Sequence, residues 1–131
     1  AAASSSIMNG RFVISDGSSN NRVMIFYTSA TNQLRIIITG GGTSILDVTQ
    51  TLADITVLHK VAVKWKSGDN AVWINGVETD SNSFAAAPSG IDSLHFKRSN
   101  VSTSYFYGEF QALAVYPSIL TDSQLTELTT L

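Results

Sequence analysis

Apolar and polar positions alternate with a period of two over most of the chain, which is the signature of half-buried strands rather than helices. Arg11 to Ser15 reads as a first strand, closed by Asp16-Gly17-Ser18-Ser19-Asn20-Asn21, residues that accept turn geometry. Arg22 to Thr28 and the β-branched run Gln33 to Thr39 follow, separated by Ser29 to Asn32 and stopped by Gly40-Gly41-Gly42. Thr43 to Thr49 carries Ile45 and Leu46 as its apolar residues. His59 to Lys66 alternates strictly, with Val61, Val63 and Trp65 on one face and Lys60, Lys64 and Lys66 on the other. After the Ser67 to Asn70 turn comes Ala71 to Ile74, then Asn75-Gly76 before Val77. That dipeptide is the strongest short-range hairpin signal, because both central residues of the favoured turn need positive φ. Ile91 to Lys97 and Tyr105 to Tyr116 complete the strands.

One helix is expected, over residues 121–129. Thr121 is a good N-cap, Asp122 sits in the first turn, and Leu125 and Leu128 share a face. Pro117 ends the strand ladder before it. The sum is an all-β antiparallel β-sandwich of about eight strands with one short C-terminal helix.

At 131 residues the chain makes one domain, and 44% hydrophobic against 14% charged residues is enough to bury a core. Residues 1–10 read as a linker or truncated edge, and residues 11–131 as the single domain. Eight basic and ten acidic residues give a net charge of −2, and no cluster exceeds two adjacent cations. A nucleic-acid partner therefore has no electrostatic footprint. The absence of cysteine excludes disulfides, a thiolate zinc site and thiol catalysis. No apolar run approaches the ~18 residues of a spanning helix, so membrane insertion is not expected.

Two segments carry a family resemblance: HKVAVKWKSGDNAVWINGVE at 59–78 and YFYGEFQALAVYPSILTDSQLTEL at 105–128. Together they resemble the concanavalin A-like jelly roll of the laminin-G and pentraxin type. Gly108, Phe110, Tyr116, Leu120, Thr121, Leu125 and Leu128 fall at that pattern's positions. Leu113 to Pro117, Leu120-Thr121-Asp122 and the 14–22 turn are most similar to laminin-G-like domains of tailed-phage structural proteins.

The resemblance implies a non-enzymatic virion module of a bacteriophage, in a tail fibre, baseplate or decoration protein. Its partners would be other virion subunits and host cell-surface polysaccharide. The alternative is a carbohydrate-binding or adhesion domain of a secreted bacterial protein, at the cell surface or outside it. A glycan hydrolase is a third class, since one architecture hosts many functions. The family's usual strand ahead of Arg11 has no counterpart here. A homo-oligomer, with a trimer favoured, or a longer chain is therefore expected to cover the edge.

Hydrolases of this architecture carry closely spaced acids on one strand, because acid and nucleophile must flank one glycosidic bond. Here only Glu78 and Asp80 lie two apart, just after a hairpin, and Glu109 stands alone, so no catalytic residues are expected. The family's rim calcium would find Asp16 and Asn20 as oxygen donors. The simpler reading of Asp16 is an Asx turn capping its own loop. No other cofactor is implied. For a glycan, an aromatic ring would meet the apolar sugar face while amides read the hydroxyls. Alternation sets Trp73 and Asn75 opposite Val72 and Ile74, and sets Tyr105 and Tyr107 opposite Phe106, so these four are the glycan candidates. The competing reading packs Trp73, Tyr105 and Tyr107 under loops or against another subunit. Trp65, on the Val61 and Val63 face, is expected in the core.

Overall fold

The computed structural model describes residues 11–96 and 111–131. Among the described residues, eight strands form two antiparallel sheets. The larger contains β1 (Arg11–Ser15), β2 (Arg22–Tyr27), β3 (Gln33–Gly40), β4 (Thr43–Thr51) and β8 (Ser93–His95), in the order β4-β3-β2-β1-β8. The smaller is β5 (Val61–Lys64), β6 (Asn70–Ile74) and β7 (Val77–Asn82), in chain order. The helix α1 spans Asp122–Thr129.

Strand register explains the core. Ile14 pairs with Val23 and Val23 with Ile38, while Ile36 pairs with Val48. Paired residues share a face, so these side chains form one apolar layer. Against it, β6 presents Val72 and Ile74, both buried, and β5 presents the half-buried Val61 and Val63. Trp65 joins the same layer half-buried. Burying each such side chain contributes about 1.5–3 kcal/mol, which is what holds the two sheets face to face. On the other face of the larger sheet, Val13, Met24 and Phe26 form a second buried cluster.

The expected strands recur within a residue or two, except near the C-terminus. Residues 111–116, expected to end a long last strand, carry no strand and make no hydrogen bond to a described residue. The rest of that strand, residues 105–110, lies outside the described residues. An apolar run such as Ala112 to Tyr116 can pack as a strand, but a ladder also needs a partner edge, and no described strand supplies one to 111–116.

The helix forms where expected and is capped more fully than a lone Thr implies. The Gln124 amide N–H donates to Thr121 Oγ1 at 3.2 Å, and the Thr121 N–H donates to Gln124 Oε1 at 2.9 Å. This reciprocal pair is a capping box. Leu125 and Thr129 are buried, whereas Leu128 is 46% exposed. The docking face is thus the i, i+4 pair, and Leu128 lies off it.

The helix is pinned at both ends, to the last residue of β5 and to the residue just before that strand. Lys64 Nζ lies 2.9 Å from Asp122 in the first turn, and Lys60 Nζ donates to the Thr130 carbonyl at 2.8 Å. The lengths match. Eight helical steps rise about 12 Å, and the four strand steps from Lys60 to Lys64 rise about 13 Å. An acid at the helix N-terminus and a cation at its C-terminus also suit the helix dipole. The lysine face of β5, which alternation alone marks as polar, is therefore the seat of the helix.

Candidate functional site

The outer face of the smaller sheet carries a polar cleft. Ala62, Lys64, Ala71 and Trp73 share that face through the Ala62–Trp73 and Lys64–Ala71 pairs. The helix covers one half of it. Trp73, 1% exposed, packs with Ala71 and Leu125, with Ala62 and Leu120 half-buried around them. The uncovered half is a cleft of about 350 Å³ lined by Lys64, Asp69, Glu78, Ser81, Asn82, Ser83 and Asp122.

A β-bulge arranges this lining. Trp73 pairs with Glu78 and Val72 with Asp80, so Thr79 is the extra residue. Its hydroxyl donates to the Val72 carbonyl at 3.2 Å, which holds the bulge. In a regular strand Glu78 and Ser81, three apart, would point to opposite faces. The inserted residue brings both to the outer face. It also separates Glu78 from Asp80, the one pair of acids whose spacing suggested a shared face.

Lys64 is the electrostatic centre. Its side chain is 7% exposed and its ammonium lies 2.7 Å from Asp69 and 2.9 Å from Asp122. The same ammonium sits 5.3 Å from the Trp73 ring centroid, a cation–π distance. Burial pulls its pKa down, but hydrogen bonds to Asp122 and Asp69 outweigh this and hold it above the ordinary lysine value. Tyr27 is also raised, by burial of its phenol. Both groups bind their protons more tightly when folded, so their contribution is complete below the unfolded values and lost as pH rises through the folded ones. The Tm is therefore expected to fall in strongly alkaline solution, above about pH 10. Lys64→Met should flatten that fall; identical slopes for parent and variant in a pH series of thermal melts would contradict it.

Phe84 follows Ser83 and is 57% exposed. Its carbonyl accepts from the Gly68 N–H at 2.8 Å and from Asn70 Nδ2 at 3.3 Å, which ties the exposed aromatic to the β5–β6 turn. Neither Phe84 nor the 81–83 hydroxyl and amide run was marked as a site by sequence. The available signal was an apolar aromatic directly after a polar run.

The glycan candidates fare differently. Trp73 does point away from Val72 and Ile74, as alternation requires, but the expectation of an open face is corrected: helix and Lys64 cover the indole. Asn75 is committed to the hairpin. Its Oδ1 accepts from the Lys60 N–H at 3.0 Å and its Nδ2 meets His59 Nδ1 at 2.9 Å. It joins β5 to the turn rather than facing a ligand. Tyr105 and Tyr107 lie outside the described residues.

Of the calcium candidates, Asp16 has both carboxylate oxygens hydrogen-bonded within its own loop. Asp16 Oδ1 accepts from the Ser18 N–H at 2.8 Å and the Ser18 hydroxyl at 2.6 Å, and Oδ2 accepts from Asn21 Nδ2 at 2.9 Å. The Ser18 and Asn21 hydrogen bonds hold its carboxyl below the usual range. Asn21, not Asn20, is the partner of Asp16, and its Oδ1 accepts from Gly41 and Ser89 across the rim at 3.1 and 3.3 Å. Among the described residues no three His, Cys, Asp or Glu side chains group as metal ligands. The Asp16 carboxylate thus caps its own loop as an Asx turn.

Two packed antiparallel sheets with a closing helix define the class of protein. Residues 3–126 match the laminin-G-type family model described as "Concanavalin A-like lectin/glucanases superfamily". The chain belongs to that superfamily. A search of curated proteins finds no significant match. A solved structure of an S-layer domain-containing protein (residues 221–444) from Clostridium thermocellum ATCC 27405 is similar at 16% identity and a TM-score of 0.48. That match covers 98% of this chain and 66% of the other.

Proposed function

We propose that this chain is a carbohydrate-binding or adhesion module of an extracellular or cell-surface protein, acting without catalysis. The observation that carries the reading is the outer-face cleft, where hydroxyl, amide and carboxylate groups line about 350 Å³ and the lining residue Ser83 is followed in the chain by the exposed Phe84. Planar polar groups next to an aromatic ring are what a sugar's hydroxyls and its apolar face require. Three acids against one cation favour neutral glycans over acidic ones. The Lys64 ammonium stands between Asp69 and Asp122, where a pair of catalytic carboxylates would need the glycosidic bond. The narrower virion setting rests on the phage-like sequence of Leu113 to Pro117, Leu120 to Asp122 and the 14–22 turn; the matched family model names no phage protein.

The test is calorimetric titration with a panel of neutral β-linked oligosaccharides, followed by reducing-sugar assay of the same mixtures. Binding is expected for at least one, with Glu78→Gln and Phe84→Ala each weakening it about tenfold, the scale of one charge-assisted hydrogen bond or one stacked ring. Binding indifferent to both substitutions, or none across the panel, would overturn the site. Release of reducing ends would overturn the non-catalytic reading.

A further inference from the structure

The tip of the β6–β7 hairpin holds a chemically labile pair. In an Asn-Gly sequence the glycine nitrogen can attack the asparagine side-chain carbonyl, since glycine has no Cβ to hinder the approach. We propose that Asn75-Gly76 is a site of spontaneous deamidation that helix α1 holds shut. In that step the Gly76 nitrogen loses its proton and bonds to Asn75 Cγ. The Cγ–Nδ2 bond breaks and ammonia leaves, forming a succinimide. Water then opens the ring at either carbonyl, leaving aspartate or isoaspartate.

Every group the step needs is engaged in the folded chain. The Gly76 N–H donates to Thr129 Oγ1 at 3.1 Å, in the last turn of α1. The Asn75 side-chain oxygen Oδ1 accepts from the Lys60 N–H at 3.0 Å, and Nδ2 is held by His59 Nδ1 at 2.9 Å. The direction of that last bond follows from its surroundings. His59 Nε2 lies 2.7 Å from the Asp54 carbonyl, which can only accept, so Nε2 carries the hydrogen and Nδ1 accepts from Asn75. Asn75 Cγ is thus fixed on the β5 side while the Gly76 nitrogen is fixed on the helix side.

Thr129 reaches Gly76 because the helix docks there. Its hydroxyl also donates to the Leu125 carbonyl at 2.7 Å, and both residues are buried. Undocking α1 releases the nitrogen. Reaction would then bar a return to the same structure. An isoaspartate adds a methylene to the backbone of a two-residue turn, and a carboxylate would set an acceptor against the His59 acceptor. The hairpin tip therefore records each lasting excursion of the C-terminal helix.

Peptide mapping by mass spectrometry during incubation in mildly alkaline buffer tests this. Fragmentation must localise the change, since Asn9-Gly10 is a second such pair in the chain. Asn75 in the folded chain is expected to react at least about tenfold more slowly than in a synthetic peptide of residues 72–80. Thr129→Val should speed it about two- to tenfold, the worth of one hydrogen bond, and Thr129→Ser should restore the parent rate. Leu125→Ala, which loosens the helix without touching the hydroxyl, should also speed it. Thermal melts taken alongside confirm that each variant is folded. Reaction in the parent at the peptide's rate overturns the proposal, as do unchanged rates in folded Thr129→Val and Leu125→Ala.

Discussion

Trp73→Ala is expected to cost about 3–5 kcal/mol, the range for deleting a buried aromatic side chain. The indole fills the space between β6 and α1 at 1% exposure, against Ala71 and Leu125. Its ring is also the surface under the Lys64 ammonium, 5.3 Å away. Removing it leaves a cavity that the neighbouring alanines cannot fill, and it strands a buried cation whose remaining partners are both partly solvated aspartates. Urea unfolding followed by far-UV circular dichroism measures the loss. The helix signal should go at lower urea than the sheet signal, because α1 has few other apolar contacts. Trp73→Phe, which keeps a ring, should recover much of the stability. A midpoint unchanged in Trp73→Ala would mean that the indole does not wedge the helix against the sheet. In a sugar titration, folded Trp73→Phe should bind as the parent does, since the ring is not at the surface.

Gly76→Val is expected to cost about 2–3 kcal/mol through two separate strains. The residue has φ +84°, which a β-branched side chain resists, and its neighbour Asn75 has φ 51°, so both central turn positions are left-handed. A Cβ on Gly76 would also stand 3.0 Å from Thr130 Oγ1 and 3.5 Å from Thr130 Cα. Because the second strain falls on the helix end, Thr130→Ala in the same chain should relieve part of the cost and leave the backbone part. A double-mutant cycle of thermal melts separates the two. Full additivity would show that the helix end does not press on the turn.

How much of this was legible in the sequence differs by element. The Asn75-Gly76 turn was, because two adjacent positive-φ residues are a local requirement that few dipeptides meet. Its second role was not: Thr129 and Thr130 approach it from more than fifty residues away in sequence. The Thr121 cap was legible for the same local reason, whereas residues 111–116 show the limit of periodicity. They read as the apolar end of a long strand and carry none, since pairing depends on an edge elsewhere.

By itself the sequence determined the sidedness of each strand, the turns and the helix start. These are consequences of a two-residue repeat and of backbone preferences acting over a few bonds. It put Trp73 and Lys64 on the face opposite Val72 and Val63, and the structure keeps them there. Only tertiary structure decided what that face meets. Docking of α1 turned Trp73 from a surface ring into a buried one, and turned Lys64 from a solvated charge into an ion-paired one. The Thr79 bulge, one unpaired residue, then moved Glu78 and Ser81 together and parted Glu78 from Asp80. Burial and register are properties of the partner surface as much as of the residue, and a partner distant in the chain leaves no local mark on its periodicity.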